Sequence, residues 1–523
     1  MNFDLALGRV RDELSQQRKT GRAFVANPSE LDMVEVDQAS WLADLRQRVT
    51  DGHYAPGPIQ ICAAPKGSGL MRPGVRMSLA DRVVYTAAVG ACVRHIVKAT
   101  KWSQRKVDFA PLFAEEYQKR HWLLEPFTGW DLWTTETLRR LSLAKTKFVV
   151  TADIAGYFEN ISVYRLKSEL TRANCPSQIV DLVTRCLLDW TPVKDCGLPQ
   201  GVLASDVLAK LYMESFDKRL KDEGYTHLRY VDDVRVFCRS ETEARRALVL
   251  VTELLRERGL VVQSAKTKIR IADSELEKEF AGAIPTIKKL HREYVEEALE
   301  AGVISEDEVS VPASVIDDLA DLEPDSMNPE VFHRAFDRFV LEDESPNGTM
   351  FRYLLRRFAK RDDDYAVPYC ADRPLEAPNE IPEILRYFED LDDPRRLEVP
   401  VRKLLNDKAL GMYPYSRFQL LSWLATHGSR RIPTVAAVRR QAFLPENPPY
   451  VQAIARQVLG RIGDDSDLDR MAGLLSSETD AFQRAQILCC LSRLEKGRRN
   501  ALAGRLKKEK PWGKLAASLI RQQ

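Results

Sequence analysis

No apolar run in the 523-residue sequence approaches the length of a bilayer span, and Arg9, Arg11 and Glu13 interrupt the N-terminal stretch. Neither a membrane span nor a secretory signal is expected. The nine cysteines, scattered from Cys62 to Cys490, contain no C-x-x-C pair. That excludes a zinc ribbon or disulfide framework and points to a reduced, cytoplasmic compartment. Adjacent Cys489 and Cys490 sit in an apolar helical stretch and read as core packing. Seven dispersed histidines offer no metal-ligand spacing. A dominant charge sign is lacking too: 78 Lys and Arg against 76 Asp and Glu leave a net of +2, so no overall basic field marks a nucleic-acid binder.

What is present is ample core and unevenly placed charge. With 44% hydrophobic and 29% charged residues the chain is globular, and its length suits about two to four domains. Between Arg498 and Gln523 eight Lys or Arg stand against Glu509 alone, and a second basic stretch runs Arg94, Lys98, Lys101, Arg105, Lys106. Each reads as a solvated helix face or as a local footprint for phosphates.

Helical patterns cover Leu5–Leu14 and Trp41–Val49. Ile59–Ala63 reads as a short strand, followed by the Gly-rich loop Pro65–Gly74 and a helix from Leu79 to about Lys98. Lys147–Asp153 is a buried-type strand ending in a carboxylate. Residues 163–189 are helical, Gly197–Leu220 is a Gly/Pro turn running into a helix, and His227–Cys238 is a hairpin with Asp232 and Asp233 at its turn. A helix over Glu241–Gly259, capped by its glycine, precedes short strands near Val261 and over Thr267–Ile271. This alternation makes residues 60–285 α/β. Glu279–Ala283 is expected to form a strand-like turn.

Beyond about residue 290 helices take over. Ala455, Val458, Leu459 and Ile462 share a helical spacing that recurs 32 positions later at Ile487, Cys490, Leu491 and Leu494. Such a period suits a HEAT-like or other α-repeat stack, or an ordinary helical domain with a coincidental match. The acidic segments Glu342–Ser345 and Arg361–Tyr365 read as connecting loops.

Three carboxylates carry the chemistry. Asp153 ends an apolar strand, and Asp232 and Asp233 occupy the turn of Tyr230-Val-Asp-Asp233. Brought together, three ionised carboxylates repel and call for cations. Mg²⁺ held by one or two carboxylates plus substrate phosphates is the usual answer, and two such ions about 3.5–4 Å apart can clamp an in-line phosphoryl displacement. A lone Y-x-D-D also fits a solvated hairpin turn, so its company matters. Gly197-Leu-Pro-Gln-Gly201 lets backbone approach a nucleotide closely, with Gln200 within reach of base or sugar, or is simply a helix-start turn. Lys66 and Arg72 flank a Gly-rich loop and offer a point charge and a planar fork for a triphosphate, or are two solvated cations. Lys266 is suited to protonating departing pyrophosphate, with Lys268 as its competitor.

In this order the segments resemble the fingers and palm motifs of reverse transcriptases. Asp153 with Phe158 matches the first carboxylate motif and its aromatic sugar gate, although neighbouring Tyr157 is the alternative inward residue. Gly197-Leu-Pro-Gln-Gly201 matches the template and nucleotide motif, and Tyr230-Val-Asp-Asp233 the metal-binding turn. Lys266-Thr resembles the lysine motif, and Phe280-Ala-Gly282 the primer grip, where Leu is more usual than Ala281. Lys66, Arg72-Pro and Asp81-Arg82 are similar to the fingers signature of group II intron and retron enzymes. The long helical C-terminal part resembles the abortive-infection and unknown-group reverse transcriptases of anti-phage defence, in which an α-repeat domain replaces the thumb.

The resemblance implies right-hand polymerase fingers and palm, an antiparallel sheet with helices, followed by an all-α helical-repeat domain. The expected division is 1–105 N-terminal extension and fingers, 106–290 palm, and 291–523 HEAT-like repeats. It implies two Mg²⁺, replaceable by Mn²⁺, on Asp153, Asp232 and the Ile154 carbonyl with Asp233 in support. Lys66, Arg72, Phe158, Gln200 and Lys266 would meet the nucleotide, and Gly201, Tyr230 and Phe280 the template and primer. Partners would be dNTPs, an RNA template or non-coding RNA, a DNA product and further copies of the chain, with no membrane. A protein primer would need a hydroxyl such as Tyr413 or Tyr415, in a flexible-looking stretch, though both also read as ordinary aromatics. Three readings compete: a defence polymerase with untemplated or RNA-partnered synthesis, a conventional templated enzyme of retron or group II intron type, and a silent RNA-binding scaffold.

Overall fold

The structure of the protein, a computed structural model, describes residues 1–19, 28–67, 69–191, 193, 195–282, 287, 289–290, 292–294, 297, 327–343 and 348–522. The chain opens with helices α1 (Phe3–Lys19), α2 (Pro28–Val36) and α3 (Gln38–Thr50). Strands β1 (Gln60–Pro65) and β2 (Met71–Arg76) form an antiparallel hairpin in which Pro65 faces Met71, so the tip is shorter than the expected loop Pro65–Gly74, whose Met71–Gly74 part is paired strand. Lys66 N–H donates to the Leu70 carbonyl at 2.7 Å, and Gly69 takes φ 77° to close the turn. Helices α4 (Leu79–Thr100) and α5 (Pro126–Leu141) lead to β3 (Phe148–Ala155). Then come α6 (Val163–Arg172), α7 (Ser177–Trp190), α8 (Leu203–Asp222), β4 (Thr226–Tyr230), β5 (Asp233–Cys238), α9 (Glu241–Glu257), β6 (Val261–Val262), β7 (Lys268–Ile271) and α10 (Ser274–Ala281).

The second sheet is antiparallel throughout. β3 is central: β5 lies on one edge, with β4 beyond it, and β6 and β7 share the other edge. Val149, Val150, Ala152 and Ile154 are all buried, so β3 is covered on both faces and reads as a nearly continuous apolar run. Gly156, at φ 54°, turns the chain out of the strand. One sheet face packs through Val149, Leu228 and Phe237 on Trp133 and Leu141 of α5 and Leu276 of α10.

Glu279, Phe280 and Ala281 end a helix and are not a strand-like turn; Ala283 lies outside the described residues. The physical cause is local. The Asp273 carboxylate caps α10 by accepting the Leu276 N–H at 2.9 Å, Glu275 and Glu277 fill the first turn, and Gly282 at φ 80° stops the helix.

After α10 the described residues contain helices and no strand. The first face of the 32-residue match, Ala455 to Ile462, is buried on the helix Pro449–Ile462. The second is not one helical face: the helix Ala481–Cys489 ends before Leu491 and Leu494, which are buried in the turn beyond it. Tyr415 does not lie in a flexible stretch. It is 5% exposed in the helix Pro414–His427, and its hydroxyl accepts from Gln419 Nε2 at 2.7 Å. Arg361–Tyr365 is a turn as expected, while Glu344 and Ser345 lie outside the described residues.

The chain forms two compact units that are not sequential. The first comprises Met1–Ala88, Pro199–Leu203 and Val367–Gln523; the second comprises Val89–Leu198 and Ala204–Ala366. The boundary expected at 290/291 falls where residue 291 is outside the described set. In the first unit the β1–β2 hairpin packs on the helix Pro414–His427 with Cys62 fully buried, and α2 packs on the helix Trp512–Gln522. Among the described residues no helix is long and apolar enough to cross a membrane.

Candidate active site

In the second unit, Asp153 of β3 stands directly opposite Asp233, the first residue of β5. Directly paired residues project to the same face with Cβ atoms about 4.5–5.5 Å apart. Asp232 precedes Asp233 in the hairpin turn, and the Ile154 N–H donates to the Asp232 carbonyl at 3.2 Å. A strand residue points its N–H and C=O to one edge, so the Ile154 carbonyl is directed toward the same turn. On the opposite edge the Asp153 carbonyl accepts from Gln263 N–H at 2.7 Å, which fixes β3 from the β6 side.

Electrostatics agree with this convergence. Burial, then the charges of Asp232 and Asp153, push the Asp233 carboxyl up to about 6, against the opposing pull of Arg235 and Lys266. Lys266 Nζ lies 3.5 Å from Asp153, an exposed ammonium leaning on a carboxylate that is 17% exposed. Lys268 is one strand step away, opposite Thr151. The oxygen donors at the turn, two facing carboxylates, Asp232 and a backbone carbonyl, are the hard set that Mg²⁺ prefers. Among the described residues no three His, Cys, Asp or Glu side chains form a ready metal cage.

Around the carboxylates the second unit arranges several predicted residues. Tyr157 is the core residue of its pair: it is 3% exposed, and its hydroxyl donates to the Ala209 carbonyl at 2.9 Å. Phe158, edge-on to Tyr157 at 5.2 Å, is only partly buried. Gly197 N–H donates to the Ile161 carbonyl at 2.9 Å and Leu198 N–H to the Phe158 carbonyl at 2.8 Å, so this loop is laced to the segment after Asp153. Tyr230 packs among Trp130 and Trp133 of α5 at 5.2 and 5.4 Å, and its hydroxyl donates to the Pro126 carbonyl at 3.2 Å. Phe280 stacks on the guanidinium of Arg235 at 3.7 Å.

Lys66, Arg72, Gln200 and Gly201 belong to the first unit. Lys66 lies at the hairpin tip, and Arg72 faces Ala64 on β2. The Gln200 carbonyl accepts the Val75 N–H at 3.2 Å, while its side-chain Oε1 is buried with no hydrogen-bond partner among the described residues. Gly201, at φ 87°, gives its carbonyl to Arg82 Nη2 at 2.8 Å. Arg82 pairs with Glu13 at 2.6 Å, and Glu13 also accepts the Leu203 N–H at 2.8 Å. Asp81 is likewise internal, accepting from Tyr54 and Ser78 hydroxyls at 2.5 and 2.7 Å. In the C-terminal basic stretch Arg498 pairs with Asp469 at 2.7 Å and Lys514 with Asp37 at 3.0 Å, and Arg499 donates to the Ser492 carbonyl.

Two neighbours escape motif reading. Arg235 is sandwiched between Trp133 and Phe280, 3.6 and 3.7 Å from the ring centroids, and burial pushes it down to about 9. Its signal is simple: two residues past Asp233, a strand returns to the same face. Arg229 lies behind the turn in a buried cluster of charges, and its signal in the sequence is only a cation beside Leu228, with two residues between it and the Asp pair.

Residues 65–294 match the family described as "Reverse transcriptase (RNA-dependent DNA polymerase)". The chain is 22% identical over 218 residues to Protein YkfC of Escherichia coli (strain K12), a match covering 38% of this chain and 49% of that protein. It thus spans about half the length of that relative. Among solved structures, telomerase from Candida albicans in complex with a TWJ fragment of telomeric RNA is similar at a TM-score of 0.32 and 10% identity, covering 73% of this chain and 70% of that one. With the paired carboxylates and the matched segment together, the chain contains a reverse transcriptase domain.

Proposed function

We propose that the protein is a DNA polymerase of reverse-transcriptase type, RNA-directed or untemplated, that adds dNMPs by two-metal phosphoryl transfer. The observation that carries this is the direct pairing of Asp153 with Asp233 beside Asp232, with burial and then the two like charges raising Asp233. Asp153, Asp232 and the Ile154 carbonyl would hold two divalent ions, Mg²⁺ or Mn²⁺, with Asp233 in support, and such ions would supply charge neutralisation at the triphosphate and a more acidic attacking hydroxyl. Lys66 and Arg72 bind the triphosphate, and Gln200 contacts the nucleotide. Phe158 fills the space of a ribose 2′-OH and so favours dNTPs. The hydroxyl oxygen bonds to the α-phosphorus as its proton passes to solvent, the bond from the α-phosphorus to the pyrophosphate oxygen breaks, and Lys266 gives that oxygen a proton and is reprotonated from solvent. Gly201, Tyr230 and Phe280 guide template and primer.

We assign this activity to anti-phage defence by abortive infection, with a homo-oligomer as the working form. The helical region after residue 327 supports that assignment, being strand-free among its described residues. The test uses nuclease-treated protein with Mg²⁺ and labelled dNTPs, with and without primed RNA, and the Asp232→Asn/Asp233→Asn double variant as control. DNA made without template, lost in the double variant and shifted by proteinase, supports self-primed synthesis. Product only with primed RNA selects a conventional templated enzyme. Product that persists at the wild-type rate in the double variant overturns the metal assignment.

A further inference from the structure

Arg229 is 1% exposed near the end of β4, one residue before Tyr230, and its forked head group works on two sides at once. Nε and Nη2 donate to Asp217 at 3.0 and 2.7 Å, and Nη2 lies 2.9 Å from Asp108. The other terminal nitrogen, Nη1, donates to the carbonyl of Val231 at 3.0 Å. Lys210 lies 2.6 Å from Asp108, and His227 3.3 Å from Asp217. Two carboxylates face two cations, a balance that permits burial of all four. Burial alone would raise the Asp217 carboxyl, but Arg229 and His227 hold it at about 2.

Val231 is the turn residue between Tyr230 and Asp232, and its φ is 55°. A β-branched side chain resists this left-handed conformation, which persists only where its surroundings hold it. Its carbonyl is held by the anchored guanidinium. We infer, resting on the metal-binding role proposed for Asp232 and Asp233, that Arg229 is a positioning residue. By pinning the Val231 carbonyl it keeps the turn left-handed and the two carboxylates aimed for divalent ions. Lysine would keep the charge but cannot serve Asp217 and the Val231 carbonyl together, because it lacks the planar fork.

The test titrates Mn²⁺ onto the full chain, with free Mn²⁺ read by electron paramagnetic resonance and folding read by circular dichroism and thermal midpoint. Arg229→Lys is expected to keep the wild-type midpoint to within a few degrees and to bind Mn²⁺ about tenfold more weakly, equivalent to ~1.4 kcal/mol. Adding Val231→Gly, which adopts positive φ freely, is expected to restore binding to within about threefold of wild type. That rescue separates positioning from a general structural role, and the double variant is also the fallback where Arg229→Lys does not fold. A folded Arg229→Lys that binds like wild type overturns the positioning role, as does a double variant no better than the single one. Failure of both variants to fold overturns it too, leaving the cluster a fold determinant only. Asp232→Asn tests the underlying reading separately: a wild type that binds no Mn²⁺, or an Asp232→Asn that binds normally, overturns the metal assignment and the positioning role with it.

Discussion

Asp233 is raised first because burial disfavours its charged form, and then because ionising it adds a charge beside Asp232 and Asp153. The sign of its effect on stability follows from linkage. A carboxyl whose folded pKa stands at about 6, above the usual 3.8, favours the fold fully below the unfolded value. That contribution is lost as pH rises through about 6. In metal-free protein the loss amounts to about 2–3 kcal/mol between pH 4 and 7. A divalent ion at the turn relieves the repulsion. Mg²⁺ is therefore expected to raise the thermal midpoint clearly at pH 7.5 and barely at pH 5, as read by scanning calorimetry with and without the ion. A shift of equal size at both pH values would detach Asp233 from the ion. All three carboxylates were legible as sequence, because a strand ending in Asp and a Y-x-D-D turn have local signatures. Arg229 and Arg235 were not, since their roles depend on partners far away in sequence, Asp108 and Asp217 for one and Trp133 and Phe280 for the other.

Elements with regular periodicity or strong turn signals are readable: the expected hairpin over His227–Cys238 covers β5 and all of β4 but Thr226, and Glu241–Gly259 contains α9. α10 shows the opposite. Glu279–Ala283 is expected as a strand-like turn, yet the Asp273 cap and the run of helix formers make Phe280 helical. The Glu13–Arg82 pair joins elements that no local pattern links, since it ties α1 and α4 to the Gly201–Leu203 stretch. Both side chains are nearly inaccessible, at 3% and 6% exposure. Glu13→Gln takes one carboxylate charge away from the buried guanidinium and should destabilise the fold by up to about 3–5 kcal/mol. Urea denaturation of the full chain, followed by circular dichroism, measures this as a lowered midpoint with an unchanged far-ultraviolet spectrum in buffer. A midpoint within error of wild type would show that the pair anchors nothing.

At the scale of the whole molecule, the first unit draws its residues from both ends of the chain. Hydropathy and periodicity carry no trace of such a partition, because which distant segments share a core is decided by packing. The hairpin bearing Lys66 and Arg72 buries Cys62, Ala64 and Val75, and it packs on the helix Pro414–His427. A chain cut after Ala366 is thus expected to lose soluble expression and cooperative melting. It would not behave as a polymerase core with a dispensable appendage removed. Size-exclusion chromatography and calorimetry of the 1–366 fragment test this, and a monomeric fragment with a sharp transition would refute it.

The same interleaving governs how the protein is made. Residues up to Ala88 leave the ribosome long before Val367 is synthesised, a gap of roughly 280 residues. At ~5–20 residues per second that gap lasts for tens of seconds. Throughout it the β1–β2 hairpin has none of the C-terminal helices against which its apolar side is buried. The nascent N-terminal segment is accordingly a substrate for holding chaperones, and codons that slow translation between residues 89 and 366 lengthen its exposure.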